Sequence, residues 1–546
     1  MRRTQWRQLG LSDEDMLKPK IAVINTSASF SSCYIHVDKI SAAVQEAVRA
    51  AGGIPFEVRT VAPSDFVTSA GKKARYLMPT RDLIVNEIEC MVEGAVLDGM
   101  VCLTSCDKTT PAHLMAAARL NIPTILLTCG YQVGGEQSDG KFVDIDDVYE
   151  SIGAVACGKM SLCELCEMSD HAIQSPGVCA GLGTANSMHI VAEAIGMAMP
   201  GNAPIYADSK KLYQYTGLVG ERIVDMVQRN LCPRDIITKK GVENAIMTVL
   251  AIGGSVNTVR HLSAVATEAE IDMKVVETYE ALADRVPLLT AVRPNGPYRT
   301  EDLEEAGGAR SVMKRLENVL HLDAMTVSGK TVGENIADTK VYREEVIKPM
   351  DKPQSTKPGI GILRGNLCPH GAIVKLSAVP NSIPYFEGPA NIFQGEDEAI
   401  RGLENGNIHP GDVIILRNMG PKGGPGTVFA CSFVAALNGA MLADKVAVVT
   451  DGELSGLNRG IVVGQVMPEA AVGGPFAVVR QGETVRIDFV GRRMDMQVPK
   501  EEIERRLAEW KPVARVLPAG YLAQYEELVQ PIETGAVLGK RSFMGG

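Results

Sequence analysis

The stretch CLTSCDKTTPAHLMAAARLNIPTI, residues 102–125, sets a thiol, a carboxylate and an amine side by side at Cys106, Asp107 and Lys108. The apolar run Asp98–Thr104 precedes them. An Ala-rich helical segment follows, with Pro111 suited to its first turn. IPTILLT (122–128) then reads as a further strand, and upstream IAVINT (21–26) leads through a loop into a helix around Ile40–Ala51. Strands alternating with helices predict an α/β domain with a mainly parallel sheet. Such sheets bind ligands beyond the carboxyl ends of their strands, which is where the triplet falls.

This texture holds for about the first 350 residues, giving an α/β domain over 1–350. Lys340–Pro358 is polar and Pro-rich and is the expected linker. Over 351–546 the chain turns to short, glycine-punctuated β-like runs, among them DVIILRN (412–418), KVAVVT (445–450) and PFAVVRQGETVRIDFV (475–490). They predict a smaller β-rich domain with a barrel or sandwich core. A helical pattern near Lys500–Trp510 follows.

The 546 residues are 45% hydrophobic and 22% charged, with a net charge of −10. That is ordinary globular composition, long enough for two or more domains. The acidic balance argues against nucleic acid or an anionic membrane as partner. No apolar run approaches the roughly 20 residues needed to span a bilayer, and the N-terminus lacks the apolar core of a secretory signal. A cytoplasmic protein is expected, in which the 12 cysteines would not be structural disulfides. Most should be small buried apolar residues.

Three cysteines share one setting. Cys33 lies between a strand and a helix, Cys106 does the same, and Cys179 sits in a Gly-rich turn that opens a helix. A helix N-terminus favours the thiolate. Their spacing matches no compact ferredoxin or zinc pattern, so for any one of them a buried structural role is the simpler expectation. Together they could supply three thiolates to an iron–sulfur cluster, leaving one iron open to a substrate.

Five stretches carry a resemblance: CDKTTPAHLMAAARLNIPTI, GVCAGLGTANSMHIVAEAIGMAMPGNAP, HLDAMTVSGKTVGENI, GPKGGPG and DGELSGLNRGIVVGQVMPEAAVGGP. The chain resembles the dihydroxy-acid and sugar-acid dehydratase family of iron–sulfur hydro-lyases, from about residue 20 to the C-terminus. The resemblance implies an α/β domain carrying the metals and a β-barrel-like C-terminal domain that closes over them. It implies Cys33, Cys106 and Cys179 as cluster ligands, with a two-iron cluster preferred to a four-iron one. Asp65, Asp107 and Lys108, carbamylated in some members, would hold magnesium. Ser455 would act as an alkoxide that removes the C2 proton, an act that needs a bound cation because a hydroxyl is otherwise too weak a base. The reaction implied is loss of water from a 2,3-dihydroxy carboxylate, a branched-chain dihydroxy acid or a sugar acid, by a homodimer or homotetramer.

The chain departs from the family pattern in places. Phe429 stands where the family glutamate completes the magnesium site, and Glu453 stands where it has arginine. Glu453 is either a substitute ligand or a surface carboxylate. Lys72, Lys73 and Arg75 would meet a distal anionic group on the substrate or form a solvated basic loop. His370 is expected to line the pocket. Cys157, Cys163 and Cys166, like Cys129, Cys232 and Cys431, fall outside the ligand set and are expected to be buried thiols. GPKGGPG lacks the Gly-Lys-Ser/Thr ending of a phosphate loop, so nucleotide is not expected. The alternative to an enzyme is a non-catalytic paralogue with a degraded magnesium site, favoured by Phe429 and opposed by the retained cysteines, acids, lysine and serine.

Overall fold

Four apolar runs build the first sheet: β1 (Lys20–Asn25), β2 (Ile54–Arg59), β3 (Gly99–Thr104) and β4 (Thr124–Thr128). The structure, a computed structural model, describes residues 1–546 other than 72, 73, 157, 381, 428, 455–459, 514–516 and 540–546. The strands pair in parallel in the order β2-β1-β3-β4. β1, β3 and β4 are buried throughout, so each reads as an unbroken apolar run rather than an alternating one. Helices Val37–Ala50 and Lys210–Arg229 pack on each other and on the sheet, and helix Thr109–Leu120 packs on β3 and β4. Every residue from Thr109 to Ala118 is buried. Its run of small alanines lets helices Leu77–Ile88, Thr184–Ala194 and Asn257–Glu268 crowd around it. The helix stops at Asn121, in the left-handed region that asparagine tolerates.

A short hairpin, β5 (Gly135–Glu136) with β6 (Phe142–Val143), follows. The second sheet holds β7 (Gly361–Leu363), β8 (Gly371–Val374), β9 (Tyr385–Phe393), β10 (Val413–Leu416), β11 (Ala447–Thr450), β12 (Ile461–Met467), β13 (Thr484–Asp488) and β14 (Arg493–Met496). Their order is β14-β13-β9-β10-β11-β12-β8-β7, with β9 to β12 parallel and the flanking pairs antiparallel. Arg364, just past β7, bridges Arg493 of β14, so the two edges meet and the sheet is a nearly closed barrel. The chain is thus α/β, with a β-barrel-like C-terminal part. Val413, Ile415, Ala447 and Val449 fill the barrel, while Ile414, Leu416 and Val448 between them face the main core. Burial on both faces explains why these strands show no polar alternation.

The segment 340–358 is irregular but not loose. Val346 and Ile347 are buried, and Lys348 N–H donates to Leu289 O at 2.9 Å. The two halves interlock beside the first sheet. Helix Ile145–Ala156 lies against helix Cys431–Gly439, and Asn257 Nδ2 donates to Leu454 O at 2.7 Å.

Candidate active site

The loops that leave the carboxyl ends of all four N-terminal strands meet at one place. Cys33 follows β1, Asp65 follows β2, and Cys106, Asp107 and Lys108 follow β3. After β4, Gln132 N–H donates to Val178 O at 2.8 Å and Val178 N–H to Gly130 O at 3.0 Å, which brings in Cys179. Local hydrogen bonds tie these loops together. Ser105 Oγ donates to Cys33 O at 2.6 Å, Ser31 Oγ to Ser64 Oγ at 2.9 Å, and Tyr34 Oη to Pro63 O at 2.6 Å.

Cys33 and Cys106 are buried in one cluster. The Cys106 thiol packs beside Cys33; that neighbour and its burial push its proton affinity well above the usual thiol range. Burial, then the neighbouring Cys106, does the same to Cys179. The Cys106 and Cys179 thiols, so placed, would ionise only on binding a cation. The ligand atoms of Asp65, Cys106 and Asp107 lie within 4.8 Å of one another. Burial, and next the Asp107 carboxylate, raises the Asp65 carboxyl well above its ordinary range, and Asp65 Oδ1 is buried without a hydrogen-bond partner.

Lys108 is wholly buried. Its Nζ lies 3.5 Å from Asp65 Oδ2, 3.9 Å from Asp107 Oδ2 and 3.5 Å from Glu453 Oε1. Burial alone would discharge the ammonium, but these carboxylates outweigh it and raise its proton affinity. The Phe429 ring covers it at 5.0 Å from Nζ to the ring centre. Glu453 is 0% exposed, so it is not a surface carboxylate, and Arg260 Nη2 stands 3.1 Å from its Oε1. Three carboxyl groups, of Asp65, Asp107 and Glu453, therefore share two basic side chains, Lys108 and Arg260. Carboxylate oxygens suit magnesium and thiolates suit iron, so the donor set fits both groups.

A cavity of about 310 Å³ opens on this cluster. Asp65, Asp107 and Cys179 form one side, while Phe66, Tyr149, Ile152, Phe429 and Ala435 make the other largely apolar. No lysine or arginine among the described residues walls it. Arg75 is partly buried, its carbonyl packed beneath Gly426, and it is not among the residues that line the cavity. Lys72, Lys73 and Ser455 lie outside the described residues. The chain just before Ser455 is held by the Phe429–Glu453 bridge and by the bond from Asn257 to Leu454.

Several expectations are corrected. His370 does not line the cavity; its side chain is 57% exposed and Nδ1 is hydrogen-bonded to Glu533 Oε1 at 2.7 Å, because the C-terminal segment folds back over its loop. Cys163 and Cys166 are exposed, since helix Leu162–His171 buries only Met168. Cys157 lies outside the described residues. Cys129 is buried as expected, but Cys232 is half-buried and Cys431 half-buried in the cavity wall. In GPKGGPG the amides of Lys422 and Gly423 donate to Glu469, at 3.1 and 2.8 Å, so an internal carboxylate occupies the place a phosphate would need.

Two residues near the site carry no motif. Arg260 sits in the otherwise core-like helix Asn257–Glu268. Asp146 is 2% exposed, both its oxygens lack partners, and a Cβ at Gly181 would come within 2.0 Å of Oδ2. Burial, then Asp144, pushes its carboxyl to about 8. A carboxyl raised in the fold weakens stability as pH climbs, because the unfolded chain has already released the proton. Asp146→Asn is therefore expected to match the parent near pH 4, gain stability through neutral pH, and hold its full advantage above pH 8. Thermal unfolding across that range measures it; a constant difference would show that Asp146 does not titrate in this window.

Comparison with known proteins places these residues in context. The N-terminal model of the dihydroxy-acid/6-phosphogluconate dehydratases matches residues 18–335, and the C-terminal model matches residues 345–536. A dihydroxy-acid dehydratase of Caldicellulosiruptor saccharolyticus is 41% identical over 538 residues, 98% of this chain and 97% of its own. Those of Ignicoccus hospitalis and Methanosarcina barkeri are 40% and 39% identical, with the same coverage.

Proposed function

The chain is a hydro-lyase of the dihydroxy-acid/6-phosphogluconate dehydratase family, and on that premise we propose that it dehydrates a 2,3-dihydroxy carboxylic acid. A proton leaves C2 and the hydroxyl leaves C3 as water. The resulting enol tautomerises to the 2-oxo-3-deoxy acid. The observation that carries this proposal is the convergence of three thiols, two aspartates and a buried lysine at the carboxyl ends of four parallel strands, with Asp65, Asp107 and Cys179 facing one cavity.

Cys33, Cys106 and Cys179 would hold an iron–sulfur cluster, of the two-iron type. Asp65 and Asp107, with Lys108, would hold magnesium. The bound metals supply Lewis acidity toward the departing hydroxyl and the substrate carboxylate. Ser455 takes the C2 proton. Tyr149 and Phe429 keep water from the reacting end, and the apolar wall of Phe66, Ile152 and Ala435 favours a short branched aliphatic tail over a polyol. As part of the same proposal the protein is a cytoplasmic homodimer or homotetramer that engages neither nucleic acid nor membrane. Its net charge of −10 argues against nucleic acid and anionic membranes as partners, and no helix among the described residues is long and apolar enough to cross a membrane.

One observation favours a second reading. The Phe429 ring cannot ligate a cation, and a protein that binds but does not turn over would tolerate it. Anaerobic purification, iron and sulfide counting, and a screen of branched dihydroxy acids against aldonic acids separate the two. Oxo-acid formation from the branched acids is the expected result. A colourless, inert protein after anaerobic reconstitution would support the paralogue.

A further inference from the structure

We infer that the C-terminal half carries a second binding site, for a small monocarboxylate with an apolar body, and that its occupancy is transmitted to the catalytic cavity. The binding stands apart from the proposed dehydration; the coupling rests on it.

The parallel strands β9 and β10 end at Phe393 and Leu416, and the residues that follow, Gln394, Arg417 and Asn418, line a cavity of about 400 Å³. The carboxyl edge of a parallel sheet is where such folds take ligands. Asn418 adopts the left-handed region, and its Nδ2 donates to Gln394 Oε1 at 3.0 Å. Arg417 is anchored through Nη1, which donates to Ala477 O at 2.7 Å and to Val479 O at 3.2 Å. Among the described residues its Nη2 finds no acceptor, and no carboxylate comes within ion-pair distance of it. The buried Asp451 instead accepts from the amides of Met419 and Ala470, each at 2.9 Å. A half-buried guanidinium without a counter-ion calls for an anion.

Lys422 and Glu526 also line the cavity, and their formal charges cancel, so Arg417 leaves the wall one positive charge over. One negative charge on the ligand matches that surplus. A phosphate would need more donors, and the amides of Lys422 and Gly423 are already taken by Glu469. Trp510, Ala471 and Ala477 supply the apolar surface. The Trp510 ring sits so close over Gly473 that a Cβ there would come within 2.8 Å of it, which fixes the ring in place. The chain that begins at Arg417 then reaches the catalytic cavity at Phe429. Glu469 clamps it midway, and Ala470 and Ala471 beside that glutamate line the second cavity. A ligand there bears on both the connecting chain and its clamp.

Trp510 is one of two tryptophans, and the other, Trp6, stacks on Phe56 of the first sheet. Trp6→Phe therefore leaves Trp510 as the single tryptophan reporter. In that protein 3-phenylpropanoate and 4-methylpentanoate should change the Trp510 emission saturably, whereas 3-phenylpropanamide and inorganic phosphate should not. Arg417→Met should weaken carboxylate binding by on the order of 10–100-fold, as loss of a charge-assisted hydrogen bond does. Ala471→Leu fills the cavity and leaves the Arg417 bonds in place, so it tests the site even if the arginine variant misfolds; it should abolish the response. No response, a response shared by acid and amide or by acid and phosphate, or one that Ala471→Leu leaves unchanged would overturn the site. So would unchanged affinity in a folded Arg417→Met protein. In turnover by the holoenzyme, saturating 3-phenylpropanoate should shift kcat/KM by at least about fivefold, and Ala471→Leu should erase the shift. A shift that survives Ala471→Leu is competition in the catalytic cavity and would overturn the coupling, as would no shift. A parent protein that dehydrates no acid would count against the proposed function and the coupling together, with the Trp510 emission still deciding the site.

Discussion

Cys106→Ser is expected to yield a protein of normal secondary structure that retains little iron and turns over at least about a thousandfold more slowly. Lewis-acid assistance contributes several kcal/mol to such a step, and each 1.4 kcal/mol is worth about tenfold in rate. Serine nearly preserves the volume of the side chain, and Cys106 is already 1% exposed, so the loop tied by Ser105 and Thr109 should keep its shape. What disappears is a soft ligand that thiol chemistry supplies and a hydroxyl does not. Cys33→Ser and Cys179→Ser should behave alike. Cys102 and Cys129 are the controls: both are buried, and burial alone pushes their thiols up. Their serine variants should lose some stability but keep iron and colour. Iron counting and visible absorption after anaerobic purification measure the difference. A Cys106→Ser protein with full iron and full turnover would remove the thiol triad from the proposal.

Much of this was legible in the sequence for physical reasons. A parallel sheet announces itself through unbroken apolar runs, so β1, β3 and β4 fall within a few residues of the runs at 21–26, 98–105 and 122–128. Reactive side chains placed where such a strand ends must lie at the sheet's ligand-binding edge, which identified the Cys106–Lys108 triplet. Cys33 and Cys179 shared with Cys106 a setting at a helix start, but their spacing fits no compact pattern and only a fold joins loops so far apart. Asp65 was different, since it was the resemblance to a family that singled it out. Arg260 was invisible because its helix reads as core on every face, and its partner Glu453 arrives from the other half of the chain. His370 was misplaced because the segment that claims it, around Glu533, is distant in sequence. Cys163 and Cys166 were expected to be buried, but local sequence does not show that their helix buries only Met168 and leaves both thiols exposed.

Gly153→Ala should produce a large effect for a single methyl group, because it sits between two helices that together form the apolar side of the cavity. A Cβ at Gly153 would come 1.8 Å from Ala435 O, and one at Gly439 would come 2.0 Å from Gly153 O. Both contacts are to backbone, which cannot swing aside, so the helices must part by more than an ångström to restore ordinary separation. Tyr149 and Ile152 line the cavity from the first helix; Cys431, Ser432 and Ala435 line it from the second. The bond from Tyr149 Oη to Cys431 O, 3.2 Å, crosses the same seam. Overpacking of this kind costs about 1–3 kcal/mol. A shift of about 1 Å in the groups that position a substrate costs on the order of a hundredfold in rate. Both losses are expected together in Gly153→Ala, and again in Gly439→Ala. Gly217 offers the contrast: it lies exposed within helix Lys210–Arg229 with no atom within 4 Å of its missing Cβ, so Gly217→Ala should be neutral or stabilising, by up to about 1 kcal/mol. Thermal unfolding and kcat/KM measured on the three variants decide the matter. Full activity in Gly153→Ala would mean that the helix pair does not shape the site, and that the C-terminal half closes over the metals by some other contact.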